Sequence, residues 1–264
     1  MNPSDLMDLL GFTTGQIERM ALVMTRLTGL FLSAPFFSRS VGPFRLRAAL
    51  LALTTLVVAP LVPPWPGEGK GDVMQLAIAL LGELILGAVI GIVIHWALIA
   101  LQTAGNIAGF EMGLSMAQVM DPTSGMQENV LSNLLYLAGL MIFLTLNGHH
   151  WMLEGLVRTF QTFPPGKAFP SSGVLLEVGT VGVARYFTFA LLIAAPVVVS
   201  SKLLYLGLGL INRASPQIQV FFIAMPVTLM LGIFLMGLTM ALFGQVLTRE
   251  LAAFMTLALK VGGV

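Results

Sequence analysis

Long apolar segments, separated by short polar or proline-rich breaks, dominate the hydropathy pattern of this chain. Most are long enough to be membrane helices, which need about 20 apolar residues. The predicted helices run from Ile17 to Phe37, Leu46 to Leu61, Val73 to Ala104, Glu128 to Leu146, Val174 to Ile211 and Gln217 to Leu247. The region from His149 to Ser172 is predicted to be a loop, and Arg249 to Val264 a short separate amphipathic helix.

Prolines and glycines mark the positions where these helices bend or meet. Pro196 and Pro226 lie inside the last two long helices, where proline normally produces a kink. Gly87 and Gly91 form a GxxxG pair, which is typical of a close contact between two helices. We therefore predict an all-α, membrane-associated bundle of long, kinked helices and helical hairpins.

The composition supports the membrane prediction and excludes several classes of function. Hydrophobic residues make up 57% of the 264 residues and charged residues only 9%, whereas soluble domains carry about 25% charged residues. The net charge of +1 offers no basic surface for nucleic acid. The chain has no cysteine, so disulfides and cysteine-ligated metal centres are excluded.

The segment from Gln102 to Met126 differs from the apolar segments on either side. It carries glycines and methionines that each recur every fourth residue. On a helix this spacing predicts one ridge of small residues and one ridge of flexible methionine side chains. The glycines lower helix stability by about 1 kcal/mol each, and Asp121-Pro122 ends the pattern. The residues are Gly105, Gly109, Gly113, Met112, Met116 and Met120.

Two functions are open for this segment. A methionine stripe at helical spacing is more often part of a packed core than a gate. Here the stripe lies between glycine joints and Asp121-Pro122, outside the predicted apolar helices, and this position favours a mobile gate. We therefore expect the segment to lie outside the packed helices.

Arg26 and Glu83 are charges placed deep inside predicted helices. A charge in hydrocarbon costs roughly 2.5–3.5 kcal/mol or more, so each should face protein or water. Glu83 could serve as a proton or ion site, or it could pair with Arg26 or with an arginine of another subunit. We favour the structural interpretation, in which Glu83 pairs with Arg26 or with an arginine of another subunit.

We predict neither a metal centre nor a catalytic site. His149, His150 and Glu154 lie close in sequence, but the HExxH spacing is missing and His95 lies in another segment. An interfacial turn with polar caps is the simpler interpretation of these residues. Gly113-Leu-Ser115 lacks the second glycine of a nucleophile elbow, and the chain has no phosphate-binding loop for ATP.

The order and spacing of several short motifs resemble the flagellar biosynthetic protein FliR family, the export-gate subunits to which injectisome counterparts are related. These motifs span nearly the whole chain. They are Arg26–Gly29, Ala34–Phe37, Val41–Pro43 with Arg45, Glu83–Gly87, Gly105–Gly109 leading to Asp121-Pro122, Phe143–His150 and Ala194–Pro196.

The resemblance implies a non-enzymatic subunit without a cofactor. Such subunits assemble with several copies of the P and Q subunits into a helical ring, the portal of the type III export channel. The expected location is the bacterial inner membrane at the flagellar basal body. Further expected partners are the export components FlhB and FlhA, exported flagellar proteins and membrane lipid, but not nucleic acid.

The resemblance also implies a division of the chain and a role for the glycine- and methionine-rich segment. Residues 1–173 would correspond to a P subunit and residues 174–264 to a Q-like helical hairpin. Residues 105–121 would form a plug loop in the closed channel. Phe110 and the neighbouring methionines are the side chains expected to close the pore.

Two other functions remain as alternatives. A secondary transporter could use Glu83, His95 and the proline-kinked helices. However, Pro196 and Pro226 both lie in the last third of the chain without an earlier matching pair, unlike the paired broken helices of many transporters. A purely structural nucleus for assembly would differ from a gate only if the plug has no gating role.

Overall fold

The protein folds into long α-helices. The structure, a computed structural model, describes residues 3–34, 43–65, 67, 73–114, 129–167, 172–214 and 220–263. These ranges hold seven α-helices and no strand, which confirms the all-α prediction. The helices are α1 (Pro3–Ser33), α2 (Phe44–Val58), α3 (Val73–Glu111), α4 (Val130–Thr145), α5 (Gly148–Thr162), α6 (Ser172–Ala214) and α7 (Val220–Val261).

Several of these helices are long and apolar enough to cross a membrane. Among the described residues, four segments qualify: Phe44–Leu61, Val73–Glu111, Ser172–Ala214 and Phe222–Met240. The α4–α5 pair is bent by 66° and provides a fifth span if it crosses as one element. At about 1.5 Å per residue, α3 is about 58 Å long, well beyond the roughly 30 Å hydrocarbon core.

The predicted loop after His149 is wrong over its first part, because residues Gly148–Thr162 form α5. Asn147, with φ of 56°, turns the chain in a left-handed conformation directly before this helix. The buried positions of α5 recur every three or four residues, and they include Met152, Leu156, Thr159 and Phe160. This helical periodicity is present in the sequence and was masked by the polar residues at the start.

Two predicted helix ends are also wrong. α3 continues past Ala104 to Glu111, and α7 continues through Arg249 to Val261 without a separate terminal helix. In α7 the buried positions keep helical spacing across the charged residues: Leu247, Leu251, Phe254, Ala258 and Val261. Glu250 forms an ion pair with Arg185 of α6 at 3.6 Å, so the polar interruption does not end the helix.

The contacts divide the chain into two units. One comprises the described residues of Met1–Trp96, Asn147–Gly182 and Ala252–Val264. The other comprises those of Ala97–Leu146 and Val183–Leu251. The boundary predicted at residue 173 concerns equivalence to separate subunits, which these contacts do not test, and it stays a prediction.

Within the first unit, α1 packs tightly on α3. A side chain at Gly87 of α3 would collide with the backbone carbonyl of Arg26, and one at Gly91 with Ser33. On the other helix, a side chain at Gly29 would collide with the carbonyl of Leu84. The close helix contact predicted from Gly87 and Gly91 is therefore confirmed.

Within the second unit, the last part of α3 contacts α4 and α6. A side chain at Gly139 of α4 would collide with Leu101 of α3. The hydroxyl groups of Thr103 in α3 and Tyr186 in α6 lie 2.5 Å apart and share a hydrogen bond.

Candidate functional site

The predicted plug begins inside α3, on a face made of glycines. A side chain at Gly105 would collide with the backbone of Ser132, and one at Gly109 would collide with the side chain of Asn129. The α3 backbone can therefore approach the start of α4 closely only because both positions lack a Cβ. The expectation that the whole segment lies outside the packed helices is wrong for residues 105–112.

Asn129 also determines where α4 begins. Its side-chain oxygen accepts a hydrogen bond from the Leu131 N–H at 3.0 Å, and its backbone carbonyl accepts one from the Ser132 hydroxyl at 2.6 Å. An asparagine in this position satisfies a backbone donor that the first helical turn leaves without a partner. The cap of α4 and the glycine face of α3 therefore meet at one residue.

Gly113 ends α3 rather than extending the glycine face. Its φ of 80° is left-handed. The Leu114 N–H donates to the Gly109 carbonyl at 2.9 Å, and the Gly113 N–H donates to the Phe110 carbonyl at 3.1 Å. This pair of bonds is the Schellman motif, in which glycine is the usual left-handed residue. The prediction that three glycines share one ridge is correct for two of them and wrong for Gly113.

Phe110 and Met112, both predicted to close the pore, have opposite environments. Phe110 is 72% exposed, whereas Met112 is 1% exposed. Any side chain at Gly232 of α7 would be only 2.5 Å from Cγ and Cε of Met112, so the methionine fills the space left by this glycine. Met116 and Met120 lie outside the described residues. Of the described aromatic and methionine side chains in the predicted plug, Phe110 is thus the one available to a partner or a pore.

Glu111, the last residue of α3, makes polar contacts with α6 that were not predicted from the sequence. Its carboxylate accepts hydrogen bonds from the Lys202 ammonium at 2.7 and 2.9 Å and from the Ser201 hydroxyl at 3.0 Å. Glu111 is the one acidic residue between Glu83 and Asp121, and Lys202 the one charged residue between Arg185 and Arg213. Isolated opposite charges in two apolar segments were the available signal.

A second polar centre, the buried charge cluster, lies in the first contact unit. It consists of Arg26, Glu83, Thr159, Phe163 and Gly166. Arg26 donates from Nε to Glu83 Oε2 at 2.5 Å, from a terminal nitrogen to the Thr159 hydroxyl at 2.9 Å, and from the other to the Phe163 carbonyl at 3.0 Å. The structure thus brings together the two charges that the sequence analysis paired, and both side chains have no exposed surface.

The second oxygen of Glu83 binds the turn that follows α5. Glu83 Oε1 accepts a hydrogen bond from the Gly166 N–H at 2.9 Å. Gly166 has φ of 80°, and Lys167 N–H bonds to the Pro164 carbonyl at 3.1 Å, which defines a type II turn with glycine in its required place. Both carboxylate oxygens therefore have donors inside the protein.

The residues considered for a metal site, His149, His150 and Glu154, make other contacts. The rings of His149 and His150 contact each other with centroids 4.2 Å apart. Glu154 accepts a hydrogen bond from Arg158 at 2.7 Å on the surface of α5. In the part of the chain that the structure describes, no three His, Asp or Glu side chains are placed to hold a metal ion.

These features define a class of protein: an all-α membrane protein whose described buried polar groups hold helices and turns in place. The particular family follows from comparison with known proteins. The model of the family "Bacterial export proteins, family 1" matches residues 17–254. The chain belongs to this family, which confirms the assignment made from the sequence motifs.

Flagellar biosynthetic proteins of several bacteria are similar to this chain over most of their length. The flagellar biosynthetic protein FliR of Escherichia coli is 34% identical over 223 residues, 83% of each chain. The FliR protein of Caulobacter vibrioides is 31% identical over 248 residues, 92% of this chain and 98% of the relative. That of Bacillus subtilis is 31% identical over 210 residues, 78% of this chain and 79% of the relative.

Proposed function

We propose that this chain is a non-enzymatic subunit of the bacterial flagellar type III protein export gate. The observation that carries the proposal is the similarity to flagellar biosynthetic proteins over most of both chains. The proposed location is the bacterial inner membrane, within the flagellar basal body. Four to five potential membrane spans in the described residues support this location.

We propose that the chain assembles with several copies of the P and Q subunits into the export portal. The support comes from large apolar side chains that the single chain leaves exposed. They lie on α2, α6 and α7 and include Leu53, Val57, Leu203, Leu210, Phe222, Met230 and Phe234. Apolar surface on this scale needs lipid or partner helices. FlhB, FlhA and unfolded flagellar proteins are the further partners in this proposal.

The proposed gate is the segment 105–121, with Phe110 as its described closing side chain. An exposed aromatic ring at the end of a membrane-grade helix is suited to close a narrow pore by contact and by dewetting. A passing polypeptide could displace such a ring without a requirement for a particular sequence. The energy for transport would come from other parts of the machine.

The transporter alternative uses Glu83 as an ion or proton site, together with His95 and the proline-kinked helices. The two carboxylate oxygens of Glu83 are engaged by Arg26 and by the Gly166 N–H, and the side chain has no exposed surface. This geometry favours a structural ion pair over an ion site.

Co-expression with the P and Q subunits tests the proposed function. The chain should be recovered in good yield only with both partners, in one complex with them, and the complex should support export of flagellar proteins in cells that lack their own copy. A monomer or homo-oligomer that is stable alone and transports a small solute would contradict the proposal and support the transporter.

A further inference from the structure

A set of three polar side chains, here called the clasp, joins the end of α3 to α6. It consists of Glu111, Ser201 and Lys202, all within the second contact unit. Glu111 is 13% exposed and Lys202 60% exposed, so the carboxylate lies mostly inside while the ammonium group reaches it from the surface. Both carboxylate oxygens are hydrogen-bonded, and such charge-assisted bonds are the stronger kind.

The clasp holds a carboxylate in an electrostatically unfavourable place. The last turn of a helix carries partial negative charge, which repels acidic side chains. Glu111 is the final residue of α3, so its charge depends on Lys202 and Ser201 for compensation. A neutral residue would fit the helix end better if that end only had to be stable.

The position of Glu111 along α3 connects the clasp to the proposed gate. Glu111 follows the exposed Phe110 and precedes the buried Met112, and the left-handed Gly113 lies two residues further on. Because the carboxylate is held on α6 and Met112 is held against Gly232 of α7, the last helical turn cannot rotate freely. Its fixed orientation determines the direction in which Phe110 projects.

We propose that Glu111, Lys202 and Ser201 are positioning residues of the gate. By holding the last turn of α3 on α6, the clasp keeps Phe110 in its closed orientation and sets how easily the closed pore leaks. This inference rests on the proposed function, because it assumes that Phe110 faces the pore. It differs from that proposal in assigning control of the gate to an ion pair outside the plug itself.

The test measures ion leakage and complex abundance in membranes that contain the chain assembled with its partners. The variants are Lys202→Glu, Glu111→Lys and the double charge exchange that carries both. Each single variant should raise leakage by up to about fivefold, the upper end of the range expected for losing a partly exposed ion pair. The double variant should return leakage towards that of the unchanged protein, because the pair is restored with opposite polarity.

Lys260→Glu provides the matched control. Lys260 is a comparably exposed lysine that pairs with Glu177 of another helix, at 2.5 Å. The Lys260→Glu substitution changes the charge by the same amount at a position far from α3 in the sequence, and it should leave leakage unchanged. If the single clasp variants do not assemble, Glu111→Gln and Ser201→Ala replace them, because both keep the volume close and should raise leakage less strongly.

The outcomes separate this inference from the proposed function. Phe110→Ala serves as the reference variant for the gate. Leakage from Phe110→Ala but none from any clasp variant, at normal abundance, would overturn the clasp and leave the gate intact. Tight complexes in all variants, Phe110→Ala included, would overturn the gate itself. Leakage from the single variants without rescue by the double variant would also overturn the clasp.

Discussion

At the scale of single residues, Arg26 shows how a membrane protein accommodates a buried charge. The guanidinium has the Glu83 carboxylate, the Thr159 hydroxyl and the Phe163 carbonyl as acceptors, and it lies 3.8 Å from the centre of the Phe160 ring. The complete set of partners offsets the desolvation of both charges. Removing either charge leaves the other one buried alone.

Replacing Arg26 is therefore expected to be severe. Arg26→Ala should destabilise the fold by about 3–5 kcal/mol, because Glu83 would stay buried without its cation. Measured by co-purification with P and Q subunits, complex yield should fall steeply, while any complex that does form should conduct ions normally. Arg158→Ala is the control, since Arg158 forms an exposed pair on α5. Normal yield with Arg26→Ala would mean that this prediction is wrong.

Gly109 is the second residue whose replacement should be damaging. Gly109→Ala places a methyl group into the Asn129 side chain and should disrupt both the α3–α4 contact and the cap of α4. The loss of the cap alone is worth about 1 kcal/mol. Gly237→Ala in α7 is the control because, among the described residues and apart from the nearby backbone of its own helix, no atom lies within 4 Å of a Cβ added there. Thermal denaturation of the two purified complexes should show a lower midpoint only for the Gly109 variant.

At the scale of elements, the helices are largely readable from the sequence and their ends are not. The apolar runs of α2, α4 and α6 predicted their bounds within a few residues. The glycines of α3 and the charged residues of α7 were interpreted as interruptions, but tertiary contacts with Asn129 and Arg185 accommodate them. Helix propensity is a weak signal wherever such contacts exist.

The same reasoning explains which parts of the site could be predicted. Arg26 and Glu83 were recognisable because a charge in an apolar helix needs a partner. The Gly166 N–H and the Phe163 carbonyl could not be recognised as partners, because they are backbone groups and the side-chain types in the sequence do not reveal them. Glu111 was missed because a single acid beside a glycine-rich segment can be taken for a surface charge.

The end of α3 separates a gating side chain from an anchoring one. Phe110→Ala should leave the amount of assembled complex unchanged and make it leaky, because the ring is exposed in the single chain. Met112→Ala should lower the amount of complex, since truncating a buried methionine costs about 2–5 kcal/mol. Conductance and abundance are measured on the same membranes. Equal behaviour of the two variants would contradict this division.

A deletion within the plug would remove gating and anchoring side chains together. Removing residues 109–118 also removes Glu111 and Met112, which contact α6 and α7. Such a deletion is expected to impair assembly as well as closure, so substitutions at Phe110 report on the gate more cleanly.

At the scale of the whole molecule, α6 and α7 contact each other within each of the two units. Glu177 pairs with Lys260 at 2.5 Å in one unit, and Arg185 pairs with Glu250 at 3.6 Å in the other. Both pairs lie inside residues 174–264. They support the proposal that this part of the chain is a helical hairpin equivalent to a Q subunit, with residues 1–173 equivalent to a P subunit.

Crosslinking can test the hairpin because the chain has no cysteine of its own. With cysteine placed at positions 177 and 260, which form an ion pair within one unit, a short thiol-reactive crosslinker should join the two in the assembled complex. The matched pair places cysteine at positions 177 and 53 of the same unit, which the hairpin proposal expects to react poorly. Preferential linkage of position 177 to residue 53 would show that α6 pairs with the first helices and would remove the hairpin proposal.

The order of synthesis gives the buried charge cluster a further consequence. Arg26 is made 57 residues before Glu83, 133 before Thr159 and 137 before Phe163. At about 5–20 residues per second, the last of these partners follows roughly 7–27 s after the arginine. Until then, a buried Arg26 guanidinium would have no complete set of acceptors.

α1 is therefore expected to reach its final position only after these partners have been synthesised. Nascent chains arrested before residue 83 should keep position 26 accessible to water-soluble reagents, and chains arrested after residue 166 should protect it. Protection in the shorter chains would show that α1 inserts alone. α1 is thus expected to reach its final environment only after α5 and the turn at Gly166 have been synthesised.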